Sequence, residues 1–324
     1  LTTNNEVLRS HVKARLKKVL KITDLGELKY FLGISIERGY HPVEGHYLYM
    51  HQQGYVERML EKYDMHKSSP RATPANASVK LTKAMEPQTA EEKKEMEDVP
   101  YRGIVGSLLY AMLNTRPDIA HAVIAASQYS ANPGIGHFKA VKWILRYLRG
   151  NPRGGIIYRD NNILEAYSDS DWGNHPDHGR SITGYVILLA GGPIAWSSKV
   201  QQVVALSSCE AEYYALCAVL QELVWIRQLL TEMGYPPQPR TKIYVDNQAA
   251  IRIAKNPESH ARTKHINIRY MFIRQLITET DAFDVIYIPT GDNLADIFTK
   301  SVSVTVFRKL IYKLIHNSVT ETLK

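Results

Sequence analysis

The 324-residue chain, with 44% apolar and 22% charged residues, is long enough for two or three compact units and too apolar for a disordered polymer. Forty Lys and Arg against 32 Asp and Glu leave a net charge of +8, which favours an anionic partner without separating nucleic acid from an acidic membrane. No stretch approaches the ~20 apolar residues of a membrane span and no secretory leader is visible, so no membrane partner is expected.

The chain opens on an amphipathic pattern, with Val7, Leu8, His11, Val12, Leu16, Val19 and Leu20 on one helical face and Lys13, Arg15, Lys17 and Lys18 on others. Residues 30–36 and 46–50 predict a hairpin, and 53–60 a helix. The polar stretch 67–100 reads as a connector holding one short charged helix at 90–97. Three further helices are predicted at 101–110, 117–129 and 138–148. Arg116, Lys139, Lys142, Arg146 and Arg149, interleaved with Trp143 and Tyr147, suit a surface that tracks phosphates. A plain solvated basic face is the competing reading.

Beyond residue 160 the pattern changes. Residues 163–169 alternate as a strand ending at Asp169, and 181–189 and 193–198 predict two more, joined by a tight turn at Gly191-Gly192. Ser207 and Ser208 are candidate caps for a long helix in which Leu216, Val219, Leu220, Leu223, Ile226 and Leu230 form a stripe. Glu212 lies on that stripe, whereas Glu210 points toward Tyr214, Cys217 and Gln221. A strand at 241–246 ends in Asp246 and leads into a helix at 249–255. A last strand at 283–288 and a loop at 289–293 precede a helix carrying Asp296 in its first turns. The tail at 305–315 is a further amphipathic helix, suited to packing on the sheet or to dimerisation. Cys209 and Cys217 fall about 12 Å apart along one predicted helix, too far for a disulfide, which points to a reducing compartment. No histidine spacing matches a zinc motif accompanied by cysteines.

Asp169, Glu212, Asp246 and Asp296 thus each close a segment that should form core, where charge is costly without a compensating cation. The element order gives an α/β layer in which all four can meet at one sheet edge. Magnesium prefers oxygen ligands, and two such ions about 4 Å apart can hold an attacking water and the leaving 3′ oxygen of a phosphodiester. Any single acid of this kind is more often solvated or capping; four at the matched ends of successive elements is a rarer coincidence.

A family resemblance is carried by Ala166-Tyr-Ser-Asp-Ser-Asp-Trp172, Arg180-Ser-Ile-Thr-Gly-Tyr185, Trp196-Ser-Ser-Lys199, Ala205-Leu-Ser-Ser-Cys-Glu-Ala-Glu-Tyr213, Val245-Asp-Asn-Gln248, Arg262-Thr-Lys-His265 and Leu294-Ala-Asp-Ile-Phe-Thr-Lys300. Over roughly residues 5–301 the chain resembles the C-terminal part of the reverse transcriptase and ribonuclease H region of copia-type LTR retrotransposon Pol polyproteins. The resemblance implies a ribonuclease H-like α/β fold at 160–301, a mixed five-stranded sheet with flanking helices. Before it would come a truncated palm end with a primer-grip-like hairpin at 1–66, a linker at 67–100 and a thumb-like helical unit at 101–158; a tail at 302–324 follows.

Residue by residue, the resemblance assigns Asp169, Glu212, Asp246 and Asp296 to a tetrad for two Mg2+ ions, with Mn2+ as a substitute. Asp169 would bridge both ions, Asp246 and Asp296 would complete the shell, and Glu212 would position an ion and its waters near the substrate 2′ hydroxyl. Asp171 is the alternative first acid, or else caps the turn before Trp172. Integrases and transposases of related fold place their catalytic Glu last; here it comes second, as in ribonuclease H. The implied reaction is endonucleolytic cleavage of the RNA strand of RNA/DNA hybrids, leaving 3′ hydroxyl and 5′ phosphate ends. Implied nucleic-acid contacts are Asn247, Gln248, Arg262, Lys264, His265, Lys139, Lys142 and Arg146, with Ser207 and Ser208 divided between sugar contact and helix capping.

The loop at 289–293 lacks the histidine that many cellular ribonucleases H carry, which implies a slower enzyme or another proton shuttle. His265 is nearest by motif, although a structural or phosphate-facing role weighs more. No Asp-Asp dipeptide occurs, so no polymerase centre is expected in this chain, and the remainder of a reverse transcriptase is an implied partner. The implied setting is intracellular: the cytoplasm, retrotransposon particles or the nucleus. A catalytically silent nucleic-acid-binding or protein-interaction module remains the alternative.

Overall fold

The structure is a computed structural model and describes residues 5–43, 45–255, 269 and 271–318. Helix α1 (Glu6–Val19) follows the predicted amphipathic pattern, capped by Asn5, yet none of its residues is buried. Strands β1 (Tyr30–Phe31), β2 (Ile34–His41) and β3 (Gly45–His51) form an antiparallel meander. Leu32 and Gly33, both at positive φ, make the first reversal, a two-residue turn whose twist suits a hairpin. Helix α2 (Gln53–Lys62) follows and buries Val56, Met59 and Leu60.

In the connector, α3 (Ala90–Glu97) is held by a capping box between Thr89 and Glu92. The next helices are α4 (Tyr101–Asn114), α5 (Ala120–Ser127) and α6 (Ile135–Gly150), after which an unexpected strand, β4 (Gly155–Arg159), pairs antiparallel with β3. Gly155 permits the approach: a Cβ there would lie 2.3 Å from the Met50 carbonyl oxygen.

The expected basic surface on these helices is corrected in several places. Arg116 is fully buried, with Nη2 2.7 Å from Asp118 Oδ2 and Nη1 donating to the Asn151 carbonyl. Tyr147 is buried too and donates its hydroxyl to Asp118. Trp143 Nε1 donates to the Thr73 carbonyl, Arg146 Nε to Ser69 and Arg149 Nε to His66. Much of this face therefore clamps the connector, whose backbone carbonyls need donors once it lies against a helix. Lys139 stays exposed, and the Lys142 ammonium sits 4.6 Å from the Phe138 ring centre.

The second sheet comprises β5 (Leu164–Asp171), β6 (Ile182–Leu189), β7 (Gly192–Val200), β8 (Thr241–Val245) and β9 (Phe283–Tyr287). Their order is β7-β6-β5-β8-β9, antiparallel through β7-β6-β5 and parallel across β5-β8-β9. This is the mixed five-stranded sheet with flanking helices expected from the sequence. The β6–β7 turn lies one residue earlier than its glycine pair suggests. Ala190 and Gly191 take positive φ and Gly192 already pairs with Leu189, where a Cβ would lie 2.6 Å from the Ile157 carbonyl oxygen.

Helices α7 (Ser208–Glu232) and α8 (Gln248–Lys255) cover one face of this sheet. There Leu216, Leu220 and Leu223 pack with Leu164, Ala166, Ile243 and Val285. Alternation sends Tyr167, Val186 and Leu188 to the other face, into a core shared with α2, α4, α5 and α6. Two short helices, α9 (Asp296–Thr299) and α10 (Val304–Ile311), join that same core. Phe307 of α10 meets the Tyr147 ring edge-on, and His316 exchanges both backbone hydrogen bonds with Gly155 of β4, so the tail packs back onto the chain. Among the described residues no helix is long and apolar enough to cross a membrane, and Cys209 and Cys217 are both free.

Candidate active site

Strand β5, the central strand, carries Asp169 near its C-terminal end, 2% exposed and in register with Gly184 of β6. That glycine is what lets α9 cross the strand: a Cβ on it would lie 2.6 Å from Thr299 Cγ2 and 3.0 Å from the Ala295 carbonyl oxygen. Thr299 in turn donates its hydroxyl to Asp169 Oδ2. Asn293, wholly buried, ties the preceding loop to β5 by donating to the Ser168 carbonyl at 3.0 Å while accepting from Ala295 N at 3.1 Å.

Helix α7 starts at Ser207, whose side chain accepts from Glu210 N, and its second turn aims Glu212 inward at 6% exposure. Glu212 Oε1 accepts from the Ser170 amide at 3.2 Å; no protein donor reaches Oε2, which is buried. Glu210 instead accepts from Leu206 N and Tyr214, at the outer side of the helix. Asp246 follows β8 directly, with Thr290 as its hydrogen-bond partner. Oxygens of Asp169, Glu212 and Asp246 all lie within 4.8 Å of one another.

Asp296, 4% exposed, stands beside this trio and is held differently. Its Oδ1 is 3.1 Å from Lys300 Nζ, which also lies 3.8 Å from Asp169 Oδ2. Lys300 went unassigned in the sequence reading, although its i,i+4 spacing from Asp296 on one helix was a usable signal. Asp171 is tied elsewhere: Asn174 Nδ2 donates to it at 2.6 Å, within the turn after β5.

Burial pushes the Glu212 carboxyl well above the usual carboxylate range, and the neighbouring Asp169 and Asp246 charges push it further. Burial and Asp169 likewise raise Asp246. They lift Asp296 to about 7 against the pull of Lys300. For Lys300 itself, burial favours the neutral amine, but Asp169 and Asp296 outweigh it and its pKa is raised. Glu212, Asp246 and Asp296 therefore hold their protons to higher pH than free carboxyls do.

A raised acid pKa contributes stability that is complete below the unfolded value of ~4 and is lost as pH rises through the folded value. Without divalent ions, the wild type is therefore expected to lose stability relative to Asp296→Asn as pH climbs from about 4 to about 7, with the difference levelling off above that. Urea midpoints across that range measure it; a difference that stays flat would contradict the electrostatics described.

Of the residues expected to contact nucleic acid, Asn247 uses its side-chain oxygen to cap α8, accepting from Ala249 N and Ala250 N. Gln248 is exposed. Arg262, Lys264 and His265 lie outside the described residues. Lys139, Lys142 and Arg146 line a cavity of about 840 Å³ between α5, α6 and the connector, and Asp171, Thr299 and Lys300 line it too. Sequence reasoning also passed over the buried Gln201, which donates to Thr183 Oγ1 and to the Ala211 carbonyl, joining β6 to the start of α7.

The chain is 43% identical over 296 residues to the retrovirus-related Pol polyprotein from transposon TNT 1-94 of Nicotiana tabacum, covering 91% of this chain and 22% of that protein. It is 39% identical over 316 residues to the Pol polyprotein from transposon RE2 of Arabidopsis thaliana, covering 97% of this chain and 21% of the relative. It belongs to the family of copia-type retrotransposon Pol polyproteins. As a Pol segment it spans about a fifth of the length of these curated relatives. Among solved structures it is similar to LC11-RNase H1, isolated from compost by a metagenomic approach, at 20% identity and a TM-score of 0.33 over 43% of this chain and 93% of that one. No family model matches the chain.

Proposed function

We propose that this chain is the ribonuclease H-bearing part of a retrotransposon reverse transcriptase and that it hydrolyses the RNA strand of RNA/DNA hybrids using two divalent cations, Mg2+ or Mn2+. The observation that carries the reading is the convergence of Asp169, Glu212 and Asp246 from two strand ends and a helix, with Glu212 Oε2 buried and without a donor. An all-oxygen anionic set suits a hard divalent ion. Asp169, Glu212 and Asp246 would hold one ion, and Asp169 with Asp296 the second. Bound there, the ions would supply the Lewis-acid charge that activates a water and stabilises the leaving 3′ oxygen.

The chain's own residues do the positioning. Thr299 and Asn293 fix the Asp169 carboxylate and the loop that carries Asp296, so neither has to reorganise when substrate arrives. Glu212, anchored through Oε1 to the Ser170 amide, keeps its carboxylate with those of Asp169 and Asp246, from where it would position an ion and its waters near a substrate 2′ hydroxyl. Lys139, Lys142 and Arg146 share one cavity with Lys300 and supply positive charge along a path for the sugar-phosphate backbone. Discrimination of RNA from DNA would rest on the 2′ hydroxyl, which Gln248 and the Nδ2 of Asn247, whose oxygen caps α8, would meet beside Asp246.

The test uses an end-labelled RNA strand annealed to DNA. Cleavage inside the RNA strand with Mg2+ or Mn2+, abolished by EDTA and absent on duplex DNA, is the expected result. Binding of the hybrid that is indifferent to EDTA and never followed by cleavage would instead mark the chain as a silent nucleic-acid-binding module.

A further inference from the structure

Lys300 places a positive charge where the proposed site needs one. Its ammonium lies 3.1 Å from Asp296 Oδ1 and 3.8 Å from Asp169 Oδ2, the two carboxylates that would hold the second ion. The position is built into the local chain: Lys300 is the C-cap residue of α9 and its backbone amide bonds to the Asp296 carbonyl, which fixes the root of the side chain while its four-carbon stem stays free to turn. Its side chain is 36% exposed and forms part of the wall of the 840 Å³ cavity, so the ammonium has a second, solvated place to go. A monovalent and a divalent cation cannot share the same two oxygens at such distances without strong mutual repulsion.

We propose that Lys300 is a tethered counter-cation: it occupies the Asp169–Asp296 side of the acid cluster in the metal-free protein and withdraws into the cavity when a divalent ion binds there. The inference rests on the metal-site reading above and deepens it. It makes the two positions unequal. The trio of Asp169, Glu212 and Asp246 converges within 4.8 Å and takes the first ion, whereas the second must displace the lysine from Asp296 and Asp169. The chain thereby keeps its acids compensated before loading, at the expense of second-ion affinity.

Mn2+ titrations followed by electron paramagnetic resonance, without substrate, compare the wild type with Lys300→Met and Lys300→Gln. The wild type is expected to bind one ion tightly and one weakly. Both variants should bind the weak ion about tenfold more tightly, since they lack the competing charge. Their metal-free melting temperatures should fall by about 3 °C and recover when Mn2+ is added. A purely structural salt bridge would lower the melting temperature and leave Mn2+ affinity unchanged. Second-ion affinity that is unchanged or weaker in both variants therefore overturns the role of Lys300 alone. A wild type that binds no Mn2+ overturns the metal site and this inference together.

Discussion

Asp169→Asn is expected to lower hybrid cleavage on the order of a thousandfold or more while leaving the fold in place. Asp169 lies at the junction of the site, sharing the cluster with Glu212 and Asp246 and facing Asp296 through Lys300. Asparagine keeps the shape and an acceptor for Thr299 but removes a charge from both proposed ion positions. The metal-free variant should be at least as stable as the wild type, because a repelling carboxylate has gone. Asp171→Asn is the control from the same strand face. Its carboxylate is tied to Asn174 and lies outside the cluster, so cleavage should change by less than about tenfold. Single-turnover cleavage with parallel thermal melts separates the two variants, and equal losses from both would remove Asp169 from the centre of the site.

The second large effect is on stability. Arg116→Met is expected to cost about 3–5 kcal/mol, because Asp118 would be left charged and buried without its partner. The pair is completely enclosed, at 0% side-chain exposure on both residues. It also has few substitutes: Arg116 reaches the Asn151 carbonyl, Tyr147 donates to Asp118, and Gly154 leaves only 3.1 Å between its would-be Cβ and the guanidinium carbon. The double variant Arg116→Met with Asp118→Leu should recover a good part of the loss, since apolar replacements of a buried pair are often tolerated. Urea unfolding of the single and double variants checks this. A single variant as stable as the wild type would mean that the pair carries no such burden.

Several elements could be read from residue spacing alone because burial on one face leaves a period. The stripe from Leu216 to Ile226 places Glu212 inward and Glu210 outward, and the alternation of 163–169 leads to Asp169 near the C-terminal end of the central strand. Strand β4 left no such trace. It is five residues long, lacks alternation and pairs with β3, more than a hundred residues earlier. Arg116 misled for a related reason: among Lys139, Lys142 and Arg146 it looks like one more surface cation, and its burial depends on Asp118 two residues on together with the long-range approach of Asn151 and Tyr147. The acids were visible as chemistry, but their unequal arrangement was not. Whether Asp296 meets the trio or a lysine depends on the turn of a four-residue helix seated over Gly184, a contact between β6 and a segment over a hundred residues later.

The return of the tail has a mechanical consequence. With His316 laddered to Gly155 and Phe307 wedged on Tyr147, the stretch after the acid-bearing sheet is stitched to the helices that precede it. Lys142 on α6 and Asp169 on β5 are thereby held at a set spacing by one shared core rather than tethered by a loose hinge. On the proposed reading, a nucleic-acid strand held at Lys142 would meet the acids at one fixed offset along its length.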